Sequence, residues 1–184
     1  MSFGGANIGG FMTVALVIGH KPSSKGAYNY TYDSYEFDFN YNLAEAIVNK
    51  VTDVKLYYRN SYTKLPFEIN ADNPEFVVSM HCNAYNRQAT GTEVLYYHKS
   101  TKGKKLAEIL QKNFIVALCL KDRGTKPRTT EDRGGYLLRY TNAPCIICEP
   151  FFIDNILDYD TAHNNYDRLV DAYADSIVEG RQVL

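Results

Sequence analysis

Apolar residues recur along this chain with two different periods. Compact, β-branched runs at 13–18, 54–59, 76–80, 92–97 and 144–149 predict strands. Between them, other stretches repeat every three to four residues. Phe39, Leu43, Ala46 and Ile47 share one apolar face of a helix predicted to begin at Tyr35 or Glu36. Leu106, Ile109, Leu110, Phe114, Ala117 and Leu118 do the same over 101–120, behind Ser100 or Thr101 as the N-cap. A third helix is predicted over 160–178, carrying Tyr166, Leu169, Val170, Tyr173, Ile177 and Val178. Strands alternating with helices predict a single α/β domain with a largely parallel sheet. The polar intervals read as connections. Residues 28–35 form a long loop or small hairpin, 60–75 a linker around Pro66 with room for one helical turn, and 121–143 a basic, glycine-bearing, mobile loop.

Three of the predicted strands deliver an ionisable side chain at their C-terminal end. The first runs through Gly19 into His20, the third into His81, and the fifth into Glu149. In open α/β sheets, ligands bind outside the carboxyl ends of the strands. His20, His81 and a carboxylate have the composition of a three-ligand zinc site that leaves a fourth position for water. Hydrolysis at such a site needs a further carboxylate to carry protons. The chain offers Glu36, in a first helical turn where the helix dipole favours negative charge, and Glu149. Spacing alone does not divide the two roles, and it leaves open the alternative of ordinary polar strand ends.

Composition narrows the field. A length of 184 residues suits one domain with a full core. A net charge of −1 gives no electrostatic case for nucleic acid or for stable membrane association. The 16 tyrosines, many of them in polar stretches, suit either half-buried packing or a groove for carbohydrate or peptide. Residues 1–11 are glycine-rich and read as a disordered extension, with 12–184 as the folded domain; they lack the basic start and apolar core of a signal peptide. Cys145 and Cys148 lie in a strand, where an odd spacing points them to opposite faces, so they read as reduced core residues rather than redox or zinc ligands. Reduced thiols fit synthesis in the cytoplasm.

Several blocks, in order and spacing, resemble a known family over roughly residues 13–180. They are Ile18-Gly19-His20, Glu36 heading a helix, Ser79-Met80-His81-Cys82-Asn83-Ala84, Gly91-Thr92-Glu93-Val94, Tyr136-Leu137-Leu138 and Pro144-Cys145-Ile146-Ile147-Cys148-Glu149. Together they are similar to the zinc-dependent N-acetylmuramoyl-L-alanine amidases of the Amidase_3 type. The resemblance implies a three-layer α/β fold with a central mixed sheet, Zn²⁺ held by His20, Glu36 and His81, and Glu149 as the catalytic glutamate. It implies hydrolysis, by zinc-activated water, of the amide between N-acetylmuramic acid and the L-alanine of the peptidoglycan stem. The chain departs from the family in three places. His20-Lys21-Pro22 stands where many members have His-Gly-Gly, Pro150 follows the catalytic glutamate, and 60–75 lacks an arginine-bearing helix common in the family.

With no signal peptide, no long blocking insertion and no wall-binding module in view, the expected role is a phage or prophage endolysin. Such an enzyme waits in the cytoplasm and reaches the cell wall once a holin opens the membrane. The alternatives are a bacterial autolysin catalytic domain, a zinc exopeptidase of related fold, and a non-catalytic wall-binding pseudo-amidase. Of the remaining candidates, His98, His163 and Arg139 read as surface residues, Glu93 as a solvated or paired carboxylate, and Asn83 as a turn-fixing residue. Asn29-Tyr30-Thr31 is a formal glycosylation sequon.

Overall fold

A computed structural model describes residues 13–184. The expectation for residues 1–11 lies outside the described residues. The chain runs β1 (Val14–Ile18), β2 (Tyr28–Asn29), β3 (Ser34–Tyr35), α1 (Glu36–Val48), β4 (Val54–Tyr58), α2 (Leu65–Ala71), β5 (Val77–Met80) and β6 (Thr92–Tyr97). It continues through α3 (Thr101–Leu118), β7 (Asp122–Arg128), α4 (Gly135–Tyr140), β8 (Cys145–Glu149), α5 (Ile156–Asn164) and α6 (Tyr166–Val183). Six strands form one sheet in the order β4-β1-β5-β8-β6-β7, and β2 and β3 make a separate antiparallel hairpin. Neighbours are parallel except β6 and β8, so β6 and β7 run against the other four strands. This is the mixed, mostly parallel sheet in a three-layer α/β domain.

The strands sort their side chains by parity. Leu16, Ile18, Val78, Met80, Val94, Ile146 and Cys148 face α1, α3 and α6 in the larger core. Ala15, Val17, Val77, Leu95, Cys145 and Ile147 face the other way, against Leu65 and Ile69 of α2 and Leu137 and Leu138 of α4. Cys145 and Cys148 therefore do sit in different layers. Burial pushes the Cys145 thiol up to about 12 and raises Cys148 well above its ordinary value, so both stay protonated and inert.

Three sequence expectations need correction. The 121–143 segment holds β7 and α4 rather than a loop. β7 has no apolar alternation because it is an edge strand paired on one side only, where polar residues and Pro127 are tolerated. The 60–75 linker contains α2, with Pro66 in its first turn where a missing N–H costs nothing. The last helix is two: α5 starts at Ile156, capped by the Asn155 side chain, and the chain breaks at Asn165 (φ −111°) before α6.

A buried carboxylate staples the loops on one side of the sheet. Asp158 accepts hydrogen bonds from Thr90 Oγ1, Gly91 N and Phe152 N. Removing it strands two buried N–H donors and the half-buried Thr90 hydroxyl. Asp158→Ala is expected to lower unfolding free energy by about 2–4 kcal/mol in a urea titration. A loss under about 1 kcal/mol would show that water replaces the carboxylate there.

Candidate active site

The carboxyl ends of β1, β5 and β8 are adjacent in the sheet, roughly 4.8 Å apart from strand to strand. That places His20, His81 and Glu149 side by side. His81 extends β5 by one residue, its N–H donating to Cys148 O at 3.0 Å. His20 sits in the left-handed region (φ 70°), held there by Arg59 N donating to its carbonyl at 3.1 Å. That turn carries its imidazole off the strand direction and towards α1.

Glu36 reaches the same place from the first residue of α1. No side chain caps this helix. Instead the loop after His20 supplies carbonyls: Glu36 N donates to Ala27 O and Phe37 N to Lys25 O, both at 2.9 Å. The carboxylate is 1% exposed, and both of its oxygens are claimed. Oε1 accepts from His81 Nδ1 at 2.9 Å and Cys82 N at 3.1 Å. Oε2 accepts from Ala27 N at 3.0 Å and lies 3.0 Å from His20 Nε2. Burial alone would push this carboxyl up; the two imidazoles beside it prevail and hold it well below the usual carboxylate range.

Two glycines make room for the cluster. A Cβ on Gly26 (φ 82°) would lie 2.5 Å from Glu36 Oε2 and 2.6 Å from His20 Cδ2. A Cβ on Gly19 would lie 2.5 Å from His81 Cε1. His20 Nε2 is buried and, despite its nearness to Glu36, has no partner in hydrogen-bonding alignment. Two imidazole nitrogens and one carboxylate oxygen, all within 4.8 Å of one another, are the donor set and spacing that suit zinc. A buried nitrogen left over in such a cluster fits an ion better than it fits a closed hydrogen-bond network.

Glu149 ends β8 directly opposite Glu93, the second residue of the antiparallel β6. The two carboxylates are treated differently by their surroundings. Glu93 lies within its strand, ion-paired by Arg123 Nε at 2.8 Å and hydrogen-bonded by Asn83 Nδ2 at 2.9 Å. Glu149 Oε2 is buried without a partner. Burial, then the charge of Glu36, raise the Glu149 carboxyl well above its ordinary value, with Arg133 opposing them. A cavity of about 410 Å³ opens here, lined by His20, His81, Asn83, Glu93 and Glu149 and floored by Val17, Ser79, Leu95 and Ile147.

The structure thus brings all four sequence-derived site residues together, and Asn83 takes a bracing role as well as fixing a turn. His98, His163 and Arg139 are exposed and absent from the cavity, with Arg139 lying over the rings of Tyr97 and Tyr140. Asn29 of the sequon is buried; its amide donates to Ile153 O and its carbonyl accepts from Thr31 N and Tyr32 N, so it fixes the β2–β3 turn. Sequence reading missed the arginines that line the cavity, Arg59, Arg128 and Arg133. Arg59 follows the carboxyl end of β4, so the strand-end argument that found His20 extends to it. Arg128 and Arg133 carried no such signal, because β7 was not visible.

Gly26→Ala is expected to cost at least about 1–2 kcal/mol of stability for the left-handed backbone alone. It should also shift the donor cluster, because the new methyl displaces Glu36 or His20. Urea unfolding and zinc titration check both. A variant unchanged in the two would show that the loop yields without disturbing the cluster.

The sequence and fold are similar to those of known proteins. A family model described as N-acetylmuramoyl-L-alanine amidase, Amidase_3, matches residues 14–179. An uncharacterized cell wall amidase of Bacillus anthracis is 36% identical over 92 residues, covering 46% of this chain and 16% of that protein. The match thus spans only a small part of that relative's length. An N-acetylmuramoyl-L-alanine amidase from Clostridium difficile 630 superposes with a TM-score of 0.82 at 24% identity, covering 94% of this chain and 98% of that one. The catalytic domain of the CD27L endolysin targeting Clostridia Difficile gives 0.72 at 24% identity, covering 93% and 97%. At these identities the two structures establish a shared fold.

Proposed function

The chain belongs to the Amidase_3 family of N-acetylmuramoyl-L-alanine amidases, and from that premise we propose that residues 12–184 are a zinc-dependent catalytic domain. It hydrolyses the amide between the lactyl group of N-acetylmuramic acid and the L-alanine of the peptidoglycan stem. One observation carries the reading: a buried His20–Glu36–His81 donor cluster shares one end of the sheet with an unpartnered Glu149 carboxylate at a common cavity.

His20, Glu36 and His81 would hold the metal. When bound, zinc supplies a Lewis acid and lowers the pKa of water towards ~7. The backbone N–H groups of Ala27 and Cys82 fix the Glu36 carboxylate from outside the cluster, which keeps the donor atoms aimed inward. Glu149 takes a proton from the attacking water and delivers it to the departing alanine nitrogen. Its surroundings suit both halves of that exchange. Burial raises its proton affinity, and the pairing of Glu93 with Arg123 and Asn83 keeps the neighbouring carboxylate from competing for the proton.

The role we infer is that of an endolysin. It is made in the cytoplasm and reaches peptidoglycan after holin-dependent permeabilisation. The fold shared with the CD27L endolysin catalytic domain supports it, and no described helix is long and apolar enough to cross a membrane. A bacterial autolysin catalytic domain is the second reading, favoured by the match to part of a larger cell wall amidase. An exopeptidase or a wall-binding pseudo-amidase has less support. The family match is to amidases and not to exopeptidases, and binding alone does not call for Glu149.

His81→Ala and His20→Ala are each expected to lose most of their zinc by metal analysis, and chelation should abolish amide cleavage that added Zn²⁺ restores. Unchanged zinc stoichiometry in both variants would refute the ligand assignment.

Glu149→Gln keeps the shape and removes the base. It should fold, retain zinc and bind peptidoglycan, while kcat drops by about 10²–10⁴-fold. Loss of zinc instead would make Glu149 a ligand. Full activity would disprove the proton-transfer role.

A further inference from the structure

The cavity carries more positive charge than its carboxylates use. Arg59, Arg128 and Arg133 line it, and among the described residues none of their guanidinium groups has an ion-pair partner. The acids that share the cavity form no ion pair with them, although the charge of Arg128 is felt by Asp132. Glu93 is engaged by Arg123 at 2.8 Å. Asp132 is turned back on its own loop, accepting from Thr129 N at 2.6 Å and Thr129 Oγ1 at 2.9 Å. Glu149 Oε2 has no hydrogen-bond partner, so none of the three arginines closes on it. A concave site lined by unpaired guanidinium groups attracts anions.

The arginines stand on two sides. Arg59 follows β4, at one edge of the sheet, and lies over the Tyr62 ring at 5.7 Å. Arg128 ends β7 at the other edge, and Arg133 precedes α4, the next element in the chain. Arg128 and Arg133, close together in the chain, line the same cavity as Glu149, the proton carrier at the reacting bond.

The chemistry of the substrate says what a cation there would meet. Once the lactyl carboxyl of muramic acid is tied up in the amide, the sugar side is uncharged, so the anions lie on the peptide side. An extended residue spans roughly 3.3–3.6 Å. A carboxylate on the residue after alanine thus lies within about two residue lengths of the scissile bond.

We propose that Arg128 and Arg133 form a carboxylate-recognising subsite that selects stem peptides whose second residue keeps a free α-carboxylate over those in which it is a carboxamide. This rests on the amidase reading above. The two guanidinium groups give the paired N–H donors that a carboxylate accepts and a neutral carboxamide matches poorly.

The test uses two muramoyl peptides that differ only in that group, cleaved by the zinc-loaded protein. The wild type should favour the free acid by about tenfold or more in kcat/KM, mainly through KM. In Arg133→Ala and Arg128→Ala the ratio between the two substrates should collapse towards one, and Arg133→Lys should retain part of it. A misfolded or metal-poor variant lowers both substrates together, so the ratio separates recognition from damage. A wild type that cleaves both substrates equally overturns the subsite and leaves the amidase reading standing. Equal losses on both substrates in the alanine variants also overturn it. A wild type that cleaves neither overturns the amidase reading, and the subsite with it.

Discussion

A carboxylate that is 1% exposed, Glu36, is the contact on which the rest of this structure turns. Taking such a charge out of water costs several kcal/mol unless its lone pairs are met. Here they are met by three separate segments: the loop after β1 through Ala27 N and His20, the end of β5 through His81 and Cys82 N, and α1, which bears the residue itself. The loop reaches Glu36 from 9 residues away at Ala27, and the end of β5 from 45 residues away at His81. The requirement that one buried carboxylate be satisfied therefore fixes how the helix enters the sheet, and it explains why glycine stands at positions 19 and 26, where any side chain would strike the cluster.

The reversal of direction in the sheet does the second piece of work. Because β6 runs against β8, its beginning lies beside the end of β8, and Glu93 falls opposite Glu149. Two carboxylates in one low-dielectric place would each raise the other's pKa. The fold separates them chemically by binding only one. Arg123, itself stacked over the Phe152 ring at 5.0 Å, and Asn83, braced by backbone pairing to 151–153, both commit to Glu93. Glu149 is left with an unpartnered oxygen facing the same cavity as the two histidines. A parallel partner strand would have placed a strand end there instead, with no fixed carboxylate to hold in check.

Legibility in the sequence followed how strongly each residue's position is dictated by burial. The strands β1, β5, β6 and β8 are buried on both faces, so their apolar runs stood out and their ends could be read for His20, His81 and Glu149. Glu36 was visible as a helix-start carboxylate, but its assignment as a ligand came from family resemblance, because no local pattern says which distant loop will close over it. β7 was hidden. An edge strand that buries little needs no alternation, and Asp122-Arg123-Gly124-Thr125-Lys126-Pro127-Arg128 offers none. The break between α5 and α6 was hidden for the opposite reason: apolar periodicity carries across Asn165 while the backbone does not.

The unequal helix layers account for the cavity. One face of the sheet is covered by α1, α3 and α6, of 13, 18 and 18 residues, and their side chains close over it in a continuous core. The other is covered by α2 and α4, of 7 and 6 residues, which bury Leu65, Ile69, Leu137 and Leu138 and reach no further. Helices of two turns cannot span a six-stranded sheet at ~4.8 Å per strand. A trough is left over Val17, Ser79, Leu95 and Ile147, with the His20–Glu36–His81 cluster at one end and polar loops for walls. The segments in which this chain departs from its family, Lys21-Pro22 beside His20 and 60–75 around α2, border that trough. Sequence change there can alter what the trough accepts without moving Glu36, because the groups that fix Glu36 are Ala27 N, Cys82 N and the two imidazoles, none of which belongs to either segment.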